Sequence, residues 1–160
     1  MIYTLTKTVS KNTSIADAVQ HKMPVTSGLI YKVDFYFPPG SSGLMGIQVK
    51  DGGYQVWPSE PGEFFFGDNT IVSFEDRYYV SSANHILDIY VYNLDDTYDH
   101  EFQVRIGQAN DPAIIASYLP HVQDKSLEQI IAELLVNQQI TREQQRQTLI
   151  DYFSEPTAVT

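Results

Sequence analysis

The chain contains no cysteine. Disulfides, thiolate nucleophiles and cysteine-based zinc or iron–sulfur sites are therefore excluded together. Charge is scarce as well: 19% of the 160 residues are charged, below the usual quarter. What charge there is leans acidic, with 20 Asp and Glu against 10 Lys and Arg, a formal net charge of −10 and a pI of about 4.6. Such a surface repels phosphate backbones and anionic headgroups, so neither nucleic acid nor a membrane is an expected partner. No apolar run approaches the roughly 20 residues of a bilayer span. The opening "MIYTLTKTVS" has no basic start followed by an apolar run and does not read as a signal peptide. The expectation is a protein made in the cytoplasm. There is no phosphate loop, dinucleotide fingerprint or HExxH pair, and the four His (His21, His85, His100, His121) do not fall at metal-ligand spacing.

Aromatic residues are abundant, with 11 Tyr and 8 Phe beside a single Trp. Few charges and many rings suit a β-rich protein with a large interface. Residues 1–107 read as eight or nine short strands with turns about every ten residues. "IYTLTKTV" alternates. "ADAVQHKMPV" reads as strand because Pro24 fits a helix interior badly. In "GLIYKVDFYF" (28–37), Leu29, Tyr31, Val33, Phe35 and Phe37 form a wholly apolar face, expected to meet the core, opposite Ile30, Lys32, Asp34 and Tyr36. "LMGIQVK", "DGG" and "YQVW" make a hairpin signal. "EFFF", "TIVSF", "HILDIYVYNL" (85–94) and "EFQVRIG" (101–107) complete the set. The pattern predicts an antiparallel β-sandwich or jelly roll over 1–107.

Beyond it the texture changes. Residues 108–125 carry two prolines and no sustained period, and read as an extended linker. Residues 126–153 read as a helical arm of two helices. Ser126 and Gln129 form a capping box, and Leu127, Ile130, Ile131, Leu134 and Leu135 form an apolar stripe. Thr141 and Gln144 repeat the capping signature before a second helix ending at "LIDYF".

Candidate chemistry is thin. Glu60, Glu63 and Asp68 lie near the aromatic stretch, but three loop acids read as a solvated rim rather than a paired-carboxylate site. "NLDDTYD" (93–99) offers oxygens for a hard cation but lacks the EF-hand spacing, and an Asx-type turn explains it with less. His100 sits in the same turn. Trp57, Tyr54 and Phe64–Phe66 are the sharpest feature: a sugar-stacking platform, or core plus protein interface. Three consecutive Phe in a strand point to both faces, with Phe65 opposite Phe64 and Phe66. On that reading Phe65 points outward and needs a cover.

The stretch Gly28-Leu-Ile-Tyr-Lys-Val, Phe37-Pro-Pro-Gly40, Gly43-Leu, the "GGYQVWPSEP" turn around Trp57-Pro58, Gly67-Asp68 before "TIVSF", Tyr78-Tyr79 and the closing "YNLDDTYDHEFQVRIG" resembles small jelly-roll-like structural proteins encoded by tailed viruses of bacteria and archaea. The resemblance covers about residues 1–107 and implies a virion component without supplying catalytic residues. The resulting expectation is a non-enzymatic capsid decoration or cement protein, homo-oligomeric, bound to the major capsid protein and to neighbouring subunits. Its expected interface is Leu127, Ile130, Ile131, Leu134 and Leu135 of the arm with the rings of Trp57 and Phe65. No catalytic residue, cofactor or metal is expected. The alternatives are a neck, tail or vertex component, or a carbohydrate-binding module using Trp57 and Tyr54, with calcium at Asp95, Asp96 and Asp99.

Overall fold

The computed structural model describes residues 1–118 and 126–154. Nine strands come first: β1 (Ile2–Val9), β2 (Val19–Val25), β3 (Gly28–Phe37), β4 (Met45–Asp51), β5 (Tyr54–Trp57), β6 (Phe65–Phe66), β7 (Thr70–Val80), β8 (His85–Asn93) and β9 (His100–Ala109). Two helices follow, α1 (Pro112–Tyr118) and α2 (Leu127–Ser154). The strands form two antiparallel sheets, in the order β1-β9-β3-β7 and β2-β8-β4-β5. β6 pairs with β4 beyond the end of β5, at Gly46 and Ile47. With β6 set aside, the chain crosses between the sheets at every connection except the β4–β5 hairpin, the strand order of a jelly roll.

Alternation in the sequence decides which side chains meet between the sheets. Leu87, Ile89 and Val91 of β8 face Phe102, Val104 and Ile106 of β9 across one core, all fully buried. β3 departs from strict alternation. Its register shifts between Ile30 and Lys32 against both neighbours. The bulge turns Ile30 into the main core. It also sends Leu29 and Tyr31, expected on the core face, into a second cluster with Ala109 and Ile115. Gly28 makes the turn into this strand possible. Its φ is +146°, and a Cβ there would lie 2.4 Å from the Ala109 carbonyl oxygen.

Two expectations for the C-terminal region are corrected. Residues 108–109 finish β9 and 112–118 form a helix rather than an extended linker; Ile115 (3% exposed) is buried and Tyr118 stacks on Tyr31 at 4.3 Å. Burial of this one side and a ring stack supply what the sequence's missing period did not advertise. Residues 119–125 of the expected linker lie outside the described residues. The arm is one helix of 28 residues, not two. The predicted capping box is present: Ser126 N–H donates to Gln129 Oε1 and Gln129 N–H to Ser126 Oγ. Thr141, read as a second cap, donates its hydroxyl back to Asn137 O, the i−4 carbonyl, and the helix runs on.

Candidate functional site

The site is the seat of α2 on the sandwich. Ile130 and Leu134 pack half-buried against the second cluster of Leu29, Ala109 and Ile115, beside Tyr31 and Tyr79. The same helix face then turns polar. With its amide turned to suit both groups, Gln138 donates to the Tyr79 carbonyl (3.2 Å) and accepts from the Tyr79 N–H (2.8 Å). Gln145 donates to the carbonyls of Gln55 (2.8 Å) and Ser59 (3.2 Å). β7 and β5 are the edge strands of the two sheets on this side. The two glutamines are seven residues apart, about 10.5 Å along a helix, and packed sheets are about 10 Å apart. α2 thus crosses the open side of the sandwich from one sheet edge to the other, and its amides take hydrogen bonds that a further strand would have made.

Between the glutamines, Arg142 reaches inward. Its Nη2 donates to Asp51 Oδ2 (2.5 Å) and to the Tyr78 hydroxyl oxygen (2.6 Å), and Tyr78 in turn donates to Asp51 Oδ2. His85 Nε2 lies 2.9 Å from Asp51 Oδ1. The Asp51 side chain is only 7% exposed. The elements dictate this meeting: Asp51 ends β4, Tyr78 is inward on β7, and His85 begins β8. Burial, then the bond to Asp51, pushes the Tyr78 hydroxyl up, so it stays a neutral donor. Burial alone would lower Arg142, but Tyr78 and Asp51 outweigh it and hold the guanidinium above its ordinary value. The same guanidinium lies 5.5 Å from the Tyr54 ring centroid. Asp51 Oδ2 and the Tyr78 proton are spent on one another and on the helix, while Oδ1 faces His85, which makes the cluster a latch. A cleft of about 460 Å³ runs beside it, lined by Asp51, His85, Arg142 and Arg146 among others.

The residues singled out in the sequence fall in several places. Ile130 and Leu134 are in the seat; Ile131 and Leu135 are half-buried on its flank. Leu127 begins α2, and its side chain lies outside the described residues. Trp57 is in the main core at 4% exposure, edge-on to Phe74 and Tyr78, with its indole N–H donating to Asp76 Oδ2 (2.6 Å). A ring so enclosed presents almost nothing to a partner or a sugar, which corrects its assignment to an interface. The expected outward facing of Phe65 is corrected: it is half-buried and points onto Phe35 and Phe74, while Phe66 is the outward ring at 65% exposure. Phe64 meets Tyr92 edge-on. The chain bends between these rings as a loop, and β6 keeps only two residues.

The acidic candidates serve turns. Glu60 and Glu63 lend backbone carbonyls to the buried amides of Gln55 and Gln48, which pin the 58–63 loop. Asp68 Oδ1 accepts from the Ser41 hydroxyl and the Ser42 N–H. Asp95 accepts from the N–H groups of Thr97 and Tyr98 through Oδ1 and meets His100 Nε2 through Oδ2 (2.8 Å). These bonds, the backbone ones foremost, hold its carboxyl below the ordinary value. Asp96 accepts from Thr97 Oγ1 and Asp99 from the Lys11 N–H. Among the described residues no group of three or more His, Asp or Glu is placed to hold a metal.

The sequence carries one signal of the latch. Ile130, Leu134, Gln138, Arg142, Gln145 and Leu149 follow one another at spacings of four and three. They continue the apolar stripe with polar residues instead of ending it.

No protein-family model and no curated protein matches this chain. Among solved structures, the crystal structure of FlhE is similar over 69% of this chain and 97% of that one, at 9% identity and a TM-score of 0.36. A likeness so loose carries no argument about function.

Proposed function

We propose that this chain is a non-enzymatic structural protein of a virus particle, a capsid decoration or cement protein that binds the major capsid protein and neighbouring copies of itself. The virion setting comes from the resemblance of residues 1–107 to jelly-roll-like proteins of tailed viruses. The observation that supports binding to other proteins is the two-sidedness of α2. One face is latched to the sandwich. The opposite face carries Val136 and Ile140, exposed at 55% and 48%, about 40° apart at 100° per residue. Large aliphatic side chains gathered on one side of a long helix favour a further protein partner. The carbohydrate reading loses its main ring with Trp57 buried. Quantitative mass spectrometry of purified particles tests the proposal. Hundreds of copies per particle support a capsid lattice role. A few dozen or fewer redirect it to a neck, tail or vertex position, and absence from particles overturns it.

A further inference from the structure

We infer that the seat of α2 is an exchange site: in an assembly it takes the α2 of a second copy of this chain, which latches there as the chain's own helix does in the isolated molecule. The inference deepens the assembly reading above but stands on the geometry of the seat. Every polar contact described there joins one side chain of α2 to the sandwich: Gln138 to Tyr79, Arg142 to Asp51 and Tyr78, Gln145 to Gln55 and Ser59. None of these needs the two partners to belong to one chain. α1 keeps its own anchorage, with Ile115 in the second cluster and Tyr118 on Tyr31, so the sandwich with α1 does not rely on α2 to hold α1 in place.

The occupant is specified by the seat itself. The edges of β5 and β7 offer backbone groups to side-chain amides placed seven residues apart, and the recess between them offers a buried carboxylate to one guanidinium. A generic amphipathic helix fills the apolar end and leaves the buried Asp51 without its guanidinium, which disfavours it. The α2 of a second copy meets all three demands. Occupation in cis wins in dilute solution because the tether keeps the helix at high effective concentration. In a lattice, neighbouring copies are held close and the two arrangements compete on equal terms.

The absence of cysteine makes the test clean. Ser59→Cys and Gln145→Cys are made as separate full-length proteins, mixed over a range of concentrations and oxidised. The double variant S59C/Q145C reports cis occupancy, and Val136→Cys mixed with Ser59→Cys controls for random collision. Exchange predicts a disulfide-linked heterodimer of the two single variants whose yield rises with concentration, well above the Val136 control, and falls several-fold when Arg142→Ala is added. Efficient cross-linking of the double variant as a monomer only, with mixtures no better than the control at any concentration, overturns the inference. So does a failure of every pairing at 59 and 145 even with a bis-maleimide that spans a glutamine side chain, because the seat is then not occupied as described. Co-sedimentation of the oxidised, cis-locked double variant with particles separates the two proposals. If it binds particles as the unlocked protein does, exchange fails while the virion reading stands; if the unlocked protein is not found on particles, the virion reading fails whatever the cross-links show.

Discussion

Arg142→Met removes the guanidinium from the latch and keeps most of the aliphatic stem. Breaking a fully buried ion pair by deleting one partner costs about 3–5 kcal/mol, and an exposed pair contributes about 1 kcal/mol or less. The Arg142 side chain is 36% exposed and Asp51 only 7%, and Asp51 keeps Tyr78 and His85. An intermediate cost of about 2 kcal/mol follows. The rest of the seat is modest: two glutamines at about 1 kcal/mol each, and half-buried Ile130 and Leu134 at about 1 kcal/mol each. Loss of about a third of the attachment frees α2 before it unfolds the sandwich. The assay is hydrogen exchange at the Tyr79 amide, which Gln138 covers. Exchange should quicken by about thirtyfold, since 1.4 kcal/mol is a factor of ten, while amides between β3 and β9 keep their protection. Adding Asp51→Asn should restore part of the loss by removing a buried charge that has lost its guanidinium. Unchanged Tyr79 exchange together with a lower melting temperature would refute the reasoning, since the cluster would then brace the sandwich and not the helix.

Four further outcomes are expected. Trp57→Ala should destabilise by about 3–5 kcal/mol in denaturant unfolding, since it empties a core site and removes the donor to Asp76 Oδ2; an exposed platform ring would cost far less. Gly28→Ala should destabilise strongly and shift the amide signals of Ala109 and Asn110, because the new methyl meets the Ala109 carbonyl; unchanged signals would contradict the close approach. Asp95→Asn should lower stability near neutral pH and lose its effect on acidification. The folded carboxyl is depressed, so its stabilisation is present above the unfolded value of 3.8 and disappears as pH falls through the lower folded value. A difference from wild type that persists below that range would show that geometry, not ionisation, matters. Val136→Ser with Ile140→Ser should leave the melting temperature within about 1–2 °C, as surface changes do, and reduce particle association several-fold; undiminished association argues against the outer face of α2 as the contact.

Most of the sandwich is legible in the sequence because its signals are local. The β3 run, the Asp51–Gly53 hairpin and the alternation of β8 each carry their period within ten residues. What fails is set by geometry spanning the chain. Nothing near Tyr31 announces the bulge, which follows from fitting β3 between β7 and β9 at once. Phe64, Phe65 and Phe66 read in sequence as one short strand, but only Phe65 and Phe66 pair with β4. The latch joins residues 51, 78, 85 and 142 from four elements, and no spacing along the chain relates them. Its helical part alone was readable, as polar residues continuing an apolar stripe.

The matched spacing of Gln138 and Gln145 makes α2 a ruler, and rulers constrain insertions and deletions. One residue added between the two would swing the second amide by 100° off the β5 edge. A whole heptad added would keep the facing and overshoot the gap by about 10.5 Å. Neither error is repaired by changing side chains. Length change in this helix is therefore barred between 138 and 145, whereas beyond Leu149, the last residue of the seat-facing row, the helix can lengthen or shorten without moving the latch.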